Sequence, residues 1–306
     1  MLKGDFTFND GEGIEVFVYK WSPEKGSIKG VVQVSHGMAE TVARYERFAN
    51  ELTNDGYIVY ANDHRGHGRT AKDVENVGYL GEDGFNWMIK DMKQLNDIIK
   101  TENPSLPIFL FGHSMGSFLS QMYISLYGDT LKGVILSGTS GKQGLLLDIG
   151  IRMAEGEVKK LGAVAKSPKL NKLSFGSYNN KFKPNRTAFD WLSRDIKEVD
   201  KYIKDPFCGG IFSAGFFRDF LRGLKEIHRT ENMIKIPKEL PIYIFSGEMD
   251  PVGNSCKTLY PLIKTYKKLG IIDVDYKFYK GGRHEMLNEI NKDEVTNDVI
   301  RWLDSH

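Results

Sequence analysis

The sequence predicts an α/β protein, a mostly parallel sheet covered by helices. Three observations lead there. Six short apolar runs, each ending near Gly, Asp or Thr, recur along the chain; stretches with helical spacing separate them; and the alternation breaks once, between about residues 141 and 237.

The runs are GVVQVSHG (30–37), YIVYAND (57–63), PIFLFGH (107–113), GVILSGT (133–139), PIYIFSG (241–247) and VDYKFYKGG (274–282). They are nearly continuous in apolar residues, the pattern of strands covered on both faces. Between them, Phe85, Met88, Ile89, Met92, Leu95 and Ile99 recur at helical steps, and Val295, Val299, Ile300 and Leu303 do the same after a cap at Asn291. Residues 141–237 are Lys-rich and carry many aromatics, and a structureless loop of that length would be exceptional. The strand pattern resumes at Pro241. The expected organisation is therefore a discontinuous core, 1–140 with 238–306, around an inserted, mainly helical lid, 141–237.

A chain of 306 residues with 41% hydrophobic content can bury a full core. Forty-two basic against 40 acidic side chains leave a charge of +2, too small to make nucleic acid or an anionic membrane an obligatory partner. A small-molecule partner is expected. Cys208 and Cys256 match no metal-ligand spacing and read as free thiols, Cys256 either buried or close to the pocket. MLKGDFTFND has no basic stretch followed by an apolar core, and eighteen apolar residues never run together, so a cytoplasmic soluble protein is expected.

The chemistry centres on FGHSMGS, residues 111–117, where Ser114 has the spacing G-x-S-x-G. It follows the run PIFLF and precedes Phe118, Leu119, Met122, Tyr123 and Leu126, which suit a buried helix. Strand, sharp turn and helix form the context in which a serine hydroxyl is held exposed in a strained conformation. Gly112 and Gly116 would let the two backbones pass closely. A serine hydroxyl needs a base, and the base an orienting acid. Asp250 lies just past PIYIFSG and His284 in the loop after VDYKFYKGG, both at strand ends, where sites of open α/β sheets gather. The order Ser114, Asp250, His284 is that of an α/β-hydrolase. Glu248 is the rival acid. The N–H of Met115, next to the nucleophile, and that of Met38 in HGMAE would stabilise the oxyanion.

DHRGHGRT, residues 63–70, contains Asp63, His64 and His67, but no further His or Cys cluster completes a metal site. It reads as a turn in which Asp63 bonds exposed amides.

With these residues placed, the sequence resembles the monoglyceride lipase and lysophospholipase group of serine α/β-hydrolases, which shades into the serine aminopeptidase-like family. The resemblance extends along most of the chain: HGMAETVARYERFANEL, NDHRGHGRT, GHSMGS, SGEMDPVG and GGRHEMLNE look like the oxyanion loop, the Asp-His-x-Gly-His-Gly turn, the elbow, and the acid and histidine loops. FDWLSRD (189–195) and DPFCGGIFSAGF (205–216) look like lid segments. Ala39 and Ser117 depart from it, standing where glycines are common. The resemblance implies hydrolysis of long-chain fatty-acyl esters, monoacylglycerol or lysophospholipid, by Ser114, His284 and Asp250, with amides of Met38 and Met115, no cofactor and no metal. Lid aromatics such as Phe212, Phe216 and Phe217 would line an acyl channel or fill the lid's own core, and the lid would touch a membrane surface transiently. A peptidase on the same triad would need acids such as Glu155, Glu157 or Asp190 to hold a free amine. A small-ester hydrolase and a non-catalytic ligand receptor are further alternatives.

Overall fold

The computed structural model describes residues 1–306. Eight strands form one sheet in the order β1-β2-β4-β3-β5-β6-β7-β8. They are β1 (Leu2–Asn9), β2 (Glu15–Ser22), β3 (Gly30–Ser35), β4 (Tyr57–Asn62), β5 (Ile108–His113), β6 (Gly133–Ser137), β7 (Ile242–Gly247) and β8 (Val274–Tyr279). From β4 onward in this order the pairing is parallel, while β1 and β2 form an antiparallel hairpin on its edge.

All six expected strands are present. The hairpin was not expected, because β1 faces solvent along most of its length and β2 alternates buried with half-buried residues, so neither makes a continuous apolar run.

Helices cover both faces. Phe48 and Leu52 of α1 (Glu46–Asn54) and Val295, Val299 and Trp302 of α10 (Lys292–Ser305) pack on Val32, Val34, Phe109 and Phe111. Met88 and Met92 of α2 (Gly84–Glu102), Leu119 and Tyr123 of α3 (Met115–Tyr127) and Leu262 and Tyr266 of α9 (Leu259–Lys268) pack on Leu110, Val134 and Leu136 from the other side. Each such side chain removed from water contributes about 1.5–3 kcal/mol. Leu126, expected on the buried face of α3, is exposed. Asn291 stands at the cap position of α10, but its amide bonds the Glu294 carboxylate.

Between β6 and β7 the chain runs through α4 (Leu145–Leu161), α5 (Pro168–Phe175), α6 (Ile196–Lys204), α7 (Ala214–Ile227) and α8 (Thr230–Met233). Local sequence sets their starts: the hydroxyls of Ser167 and Ser213 accept from Leu170 N–H and Phe216 N–H, and the Asp195 carboxylate accepts from Lys197 N–H. Leu147 and Ile151 of α4 and Phe216, Phe217 and Leu224 of α7 join the same apolar cluster as α2 and α3. A separate small cluster of Trp191, Leu192 and Tyr202, with Phe175, Tyr178 and Phe189 against it, lies nearer the site.

The sheet register levels the strand ends that matter. Ser35 pairs with Gly112, His113 with Ser137, and Gly247 with Tyr279. The loops that follow these residues therefore open on one edge of the sheet.

Candidate functional site

Ser114 joins β5 to α3 with φ 51° and ψ −117°, outside the regions that L-residues ordinarily occupy. Such a conformation stores about 1–3 kcal/mol of strain. Its surroundings hold it: Ser114 N–H donates to Ser137 O at 2.9 Å, and Ser117 Oγ and Phe118 N–H both donate to Ser114 O. The close approach is real, since a Cβ at residue 112 would stand 2.5 Å from Gly116 O and one at 116 would stand 2.0 Å from Ser35 O. Ser117, which departs from the family pattern, thus ties down the elbow through its hydroxyl.

His284 and Asp250 meet. His284 Nδ1 lies 3.0 Å from Asp250 Oδ1, and both side chains are buried. Asp250 Oδ1 also accepts from Val252 N–H at 2.9 Å and Oδ2 from Ser246 Oγ at 3.2 Å, which fixes the carboxylate plane. Glu248 is exposed. Burial lowers the His284 pKa, but the charge of Asp250 and its hydrogen bond outweigh burial and raise it above the usual 6.5. His113, with its ring 4.8 Å from that of His284, is pushed down to about 4 by burial and by that neighbour, and stays neutral.

The His284 loop is braced from the segment between β6 and β7. His284 N–H donates to Trp191 O and Glu285 N–H to Leu192 O, the Arg283 guanidinium bonds Asp190 O and Ser193 O, and Trp191 lies over the imidazole at 5.0 Å. Arg44 makes paired bonds to the Glu285 carboxylate and one to Glu40, whose other oxygen takes Gly37 N–H at 2.6 Å. This buried cluster links the histidine loop to HGMAE. Sequence reasoning found neither, because the partners are distant in the chain.

A Cβ at Gly37 would lie 3.2 Å from Ser114 Cβ, so HGMAE passes directly over the elbow. Met38 N–H has no acceptor within the protein. Met115 is the first residue of α3, where an N–H has no partner in its own helix. Ala39 adopts φ 58°, a conformation in which glycine would be unstrained.

Ser114, His284, Met38 and Glu285 open onto a cavity of about 310 Å³, whose further walls include Phe175, Phe189, Trp191 and Leu192. That volume is at the small end of ligand pockets. Phe212, Phe216 and Phe217 are not in these walls; of the two expectations for them, channel wall or the lid's own core, neither describes where they pack. Each is buried in the main core, where α7 lies on α2 and α4 and Phe212 packs against His67 and Phe216. Cys256 is also elsewhere, its thiol directed at Gly247 O and pushed up to about 12 by burial.

The turn at 63–68 does not gather ligands. Asp63 accepts from Val42 N–H and Arg69 N–H, His64 Nε2 meets Ser35 Oγ, and His67 Nδ1 meets Arg65 O. Asp273, Asp275 and His306 do stand close enough to share an ion, but Asp273 and Asp275 are at the start of β8, whereas His284 follows its end.

Against known proteins, the family model described as serine aminopeptidase, S33, matches residues 26–291. The monoacylglycerol lipase of Mycolicibacterium smegmatis is 28% identical over 99% of this chain and 98% of its own. Human monoglyceride lipase is 28% identical over 96% of this chain and 87% of its own. Among solved structures, a thermostable carboxyl esterase from Bacillus coagulans, crystallised with glycerol, superposes with a TM-score of 0.91 at 29% identity, covering 100% of this chain and 99% of that one.

Proposed function

The chain belongs to the serine aminopeptidase S33 family, has the α/β-hydrolase fold and is a serine ester hydrolase, and from that premise we propose that it cleaves fatty-acyl esters such as monoacylglycerol or lysophospholipid through Ser114, His284 and Asp250. His284 takes the Ser114 proton as Oγ attacks the acyl carbon. The carbonyl oxygen becomes an alkoxide facing the N–H groups of Met38 and Met115. Its collapse breaks the ester C–O bond, and His284 returns the proton to the departing alcohol. Water then repeats the sequence on the acyl-enzyme, releasing the fatty acid and restoring Ser114.

The observation that carries this reading is the cavity that Ser114 and His284 share with an aromatic wall. Phe175, Phe189 and Trp191 offer apolar surface to an acyl chain. The peptidase alternative has less support. Glu155 pairs with Arg222, Glu157 with Lys169, and Asp190 caps the backbone at Arg186 and Thr187. The two carboxylates in the cavity wall both bind Arg44, so neither is free to hold an amine.

The same reading treats residues 141–237 as a lid that touches lipid. On α4, Leu145 and Leu146 are each 82% exposed and Ile149 lies one turn on, an apolar face directed at solvent. On α5, Leu173 is exposed while Phe175 lines the cavity. No helix is long and apolar enough to cross a membrane. A cytoplasmic location, with Cys208 and Cys256 as free thiols, completes the proposal.

The test is a substrate panel of monoacylglycerols, lysophosphatidylcholine, short p-nitrophenyl esters and aminoacyl-naphthylamides, run beside Ser114→Ala. Lipid-ester turnover that is lost in the variant is expected. Preferential release of naphthylamine would transfer the assignment to a peptidase.

A further inference from the structure

The Asp63–Gly68 turn has no part in the reaction as proposed, yet it grips the HGMAE loop at its first residue and again two residues past its last. Asp63 Oδ1 accepts from Val42 N–H at 2.8 Å, and His64 N–H donates to His36 Nε2 at 2.9 Å. We propose that His36, locked in one tautomer by this turn, is a positioning residue that aims the Met38 N–H at the oxyanion.

A backbone N–H only donates, so His36 Nε2 carries a lone pair and the ring proton sits on Nδ1. Nδ1 lies 2.8 Å from Gly37 O, which only accepts, so the bond runs from the ring to the carbonyl. In a trans peptide the Gly37 carbonyl and the Met38 N–H point in opposite directions. Holding the carbonyl on the buried ring therefore turns the N–H away from it, toward the side on which Gly37 and Met38 face the cavity with Ser114. Glycine sets no side-chain barrier to a flip of this peptide. A flipped peptide would present a carbonyl oxygen to the alkoxide and repel it. Glu40 Oε1 on Gly37 N–H fixes the preceding peptide, and His36 fixes this one.

The inference rests on the reading of Met38 as an oxyanion donor, and the experiment separates the two. For His36→Leu, kcat and kcat/KM on a p-nitrophenyl ester are expected to fall together by about 10²-fold, the scale of one oxyanion donor. KM should stay unchanged. Affinity for an alkyl trifluoromethyl ketone, which forms a tetrahedral adduct, should fall in proportion, whereas inhibition by the free fatty acid and the pH midpoint should not move. His36→Asn, whose amide can donate from near the Nδ1 position, should recover much of the loss. Independently of any variant, long-range 1H–15N spectra of the wild type should show His36 protonated on Nδ1. Wild-type kcat and ketone affinity in His36→Leu, or a proton on Nε2, would overturn the inference alone. A wild-type protein without esterase turnover would overturn the underlying reading and the inference with it.

Discussion

Asp250 Oδ1 accepts from His284 Nδ1 at 3.0 Å with no exposed surface of its own, while Glu248, two residues earlier, lies in solvent. This decides which acid can orient the imidazole. Asp250→Asn should lower turnover by about 10⁴-fold, as in other serine triads, and Glu248→Gln should leave it at wild type. The pH profile gives a second reading. In the proposed mechanism the neutral form of His284 is the base, so kcat/KM should rise with pH, with a midpoint above the ordinary 6.5 because Asp250 outweighs burial. Asp250→Asn removes the raising partner and leaves burial, so the midpoint should move down. A midpoint that stayed in place would detach Asp250 from the titrating group.

Chain-length preference should follow the cavity wall rather than the core. Over p-nitrophenyl esters from acetate to palmitate, kcat/KM should climb by about 0.8 kcal/mol for each methylene buried, until the wall ends. Phe175→Ala and Phe189→Ala should flatten the climb while sparing acetate. Phe216→Ala, in the main core, should instead cost about 3–5 kcal/mol of stability and leave the shape of the profile intact. A profile reshaped by Phe216→Ala alone would mean that the acyl chain enters between α7 and α2.

The turn at 63–68 is anchored electrostatically. Arg65 bonds Asp91 through Nε at 2.8 Å and Asp10 through Nη2, all three side chains being about 1% exposed. Arg65→Met would leave two buried carboxylates without their cation, at a cost of about 3–5 kcal/mol. Denaturant unfolding of Arg65→Met against wild type measures this; a change below about 1 kcal/mol would show that water can reach the site and replace the guanidinium.

Lipid contact through α4 predicts that Leu145→Ser with Leu146→Ser releases the protein from phosphatidylcholine vesicles. Burial of one leucine contributes about 1.5–3 kcal/mol, so partitioning in a flotation assay should fall more than about tenfold. Hydrolysis of soluble esters should not change. Unaltered partitioning would move the contact away from this helix.

Much of this was legible in the sequence, for a physical reason. Strands buried on both faces must be apolar throughout, so GVVQVS and PIFLF announce themselves, and the residues of the proposed triad follow such runs directly: Ser114 after β5, Asp250 after β7, His284 after β8. The N-terminal hairpin was hidden because one of its faces meets water. The brace of Trp191 on the His284 loop and the bridge from Arg44 to Glu285 were hidden because they join residues 93 and 241 positions apart, which no local pattern encodes. Aromatic content alone did not separate wall from core: Phe175 and Phe216 belong to the same segment, and only packing shows that one faces the cavity and the other α2.

The central claim is that Ser114 is the nucleophile, and covalent labelling with a fluorophosphonate tests it most directly. Only a serine whose proton a neighbouring imidazole can remove attacks such phosphorus centres rapidly. Intact mass spectrometry of the folded protein should show one adduct, peptide mapping should place it on Ser114, and Ser114→Ala should show none. An unlabelled wild type, or labelling that persists unchanged in Ser114→Ala, would contradict the account.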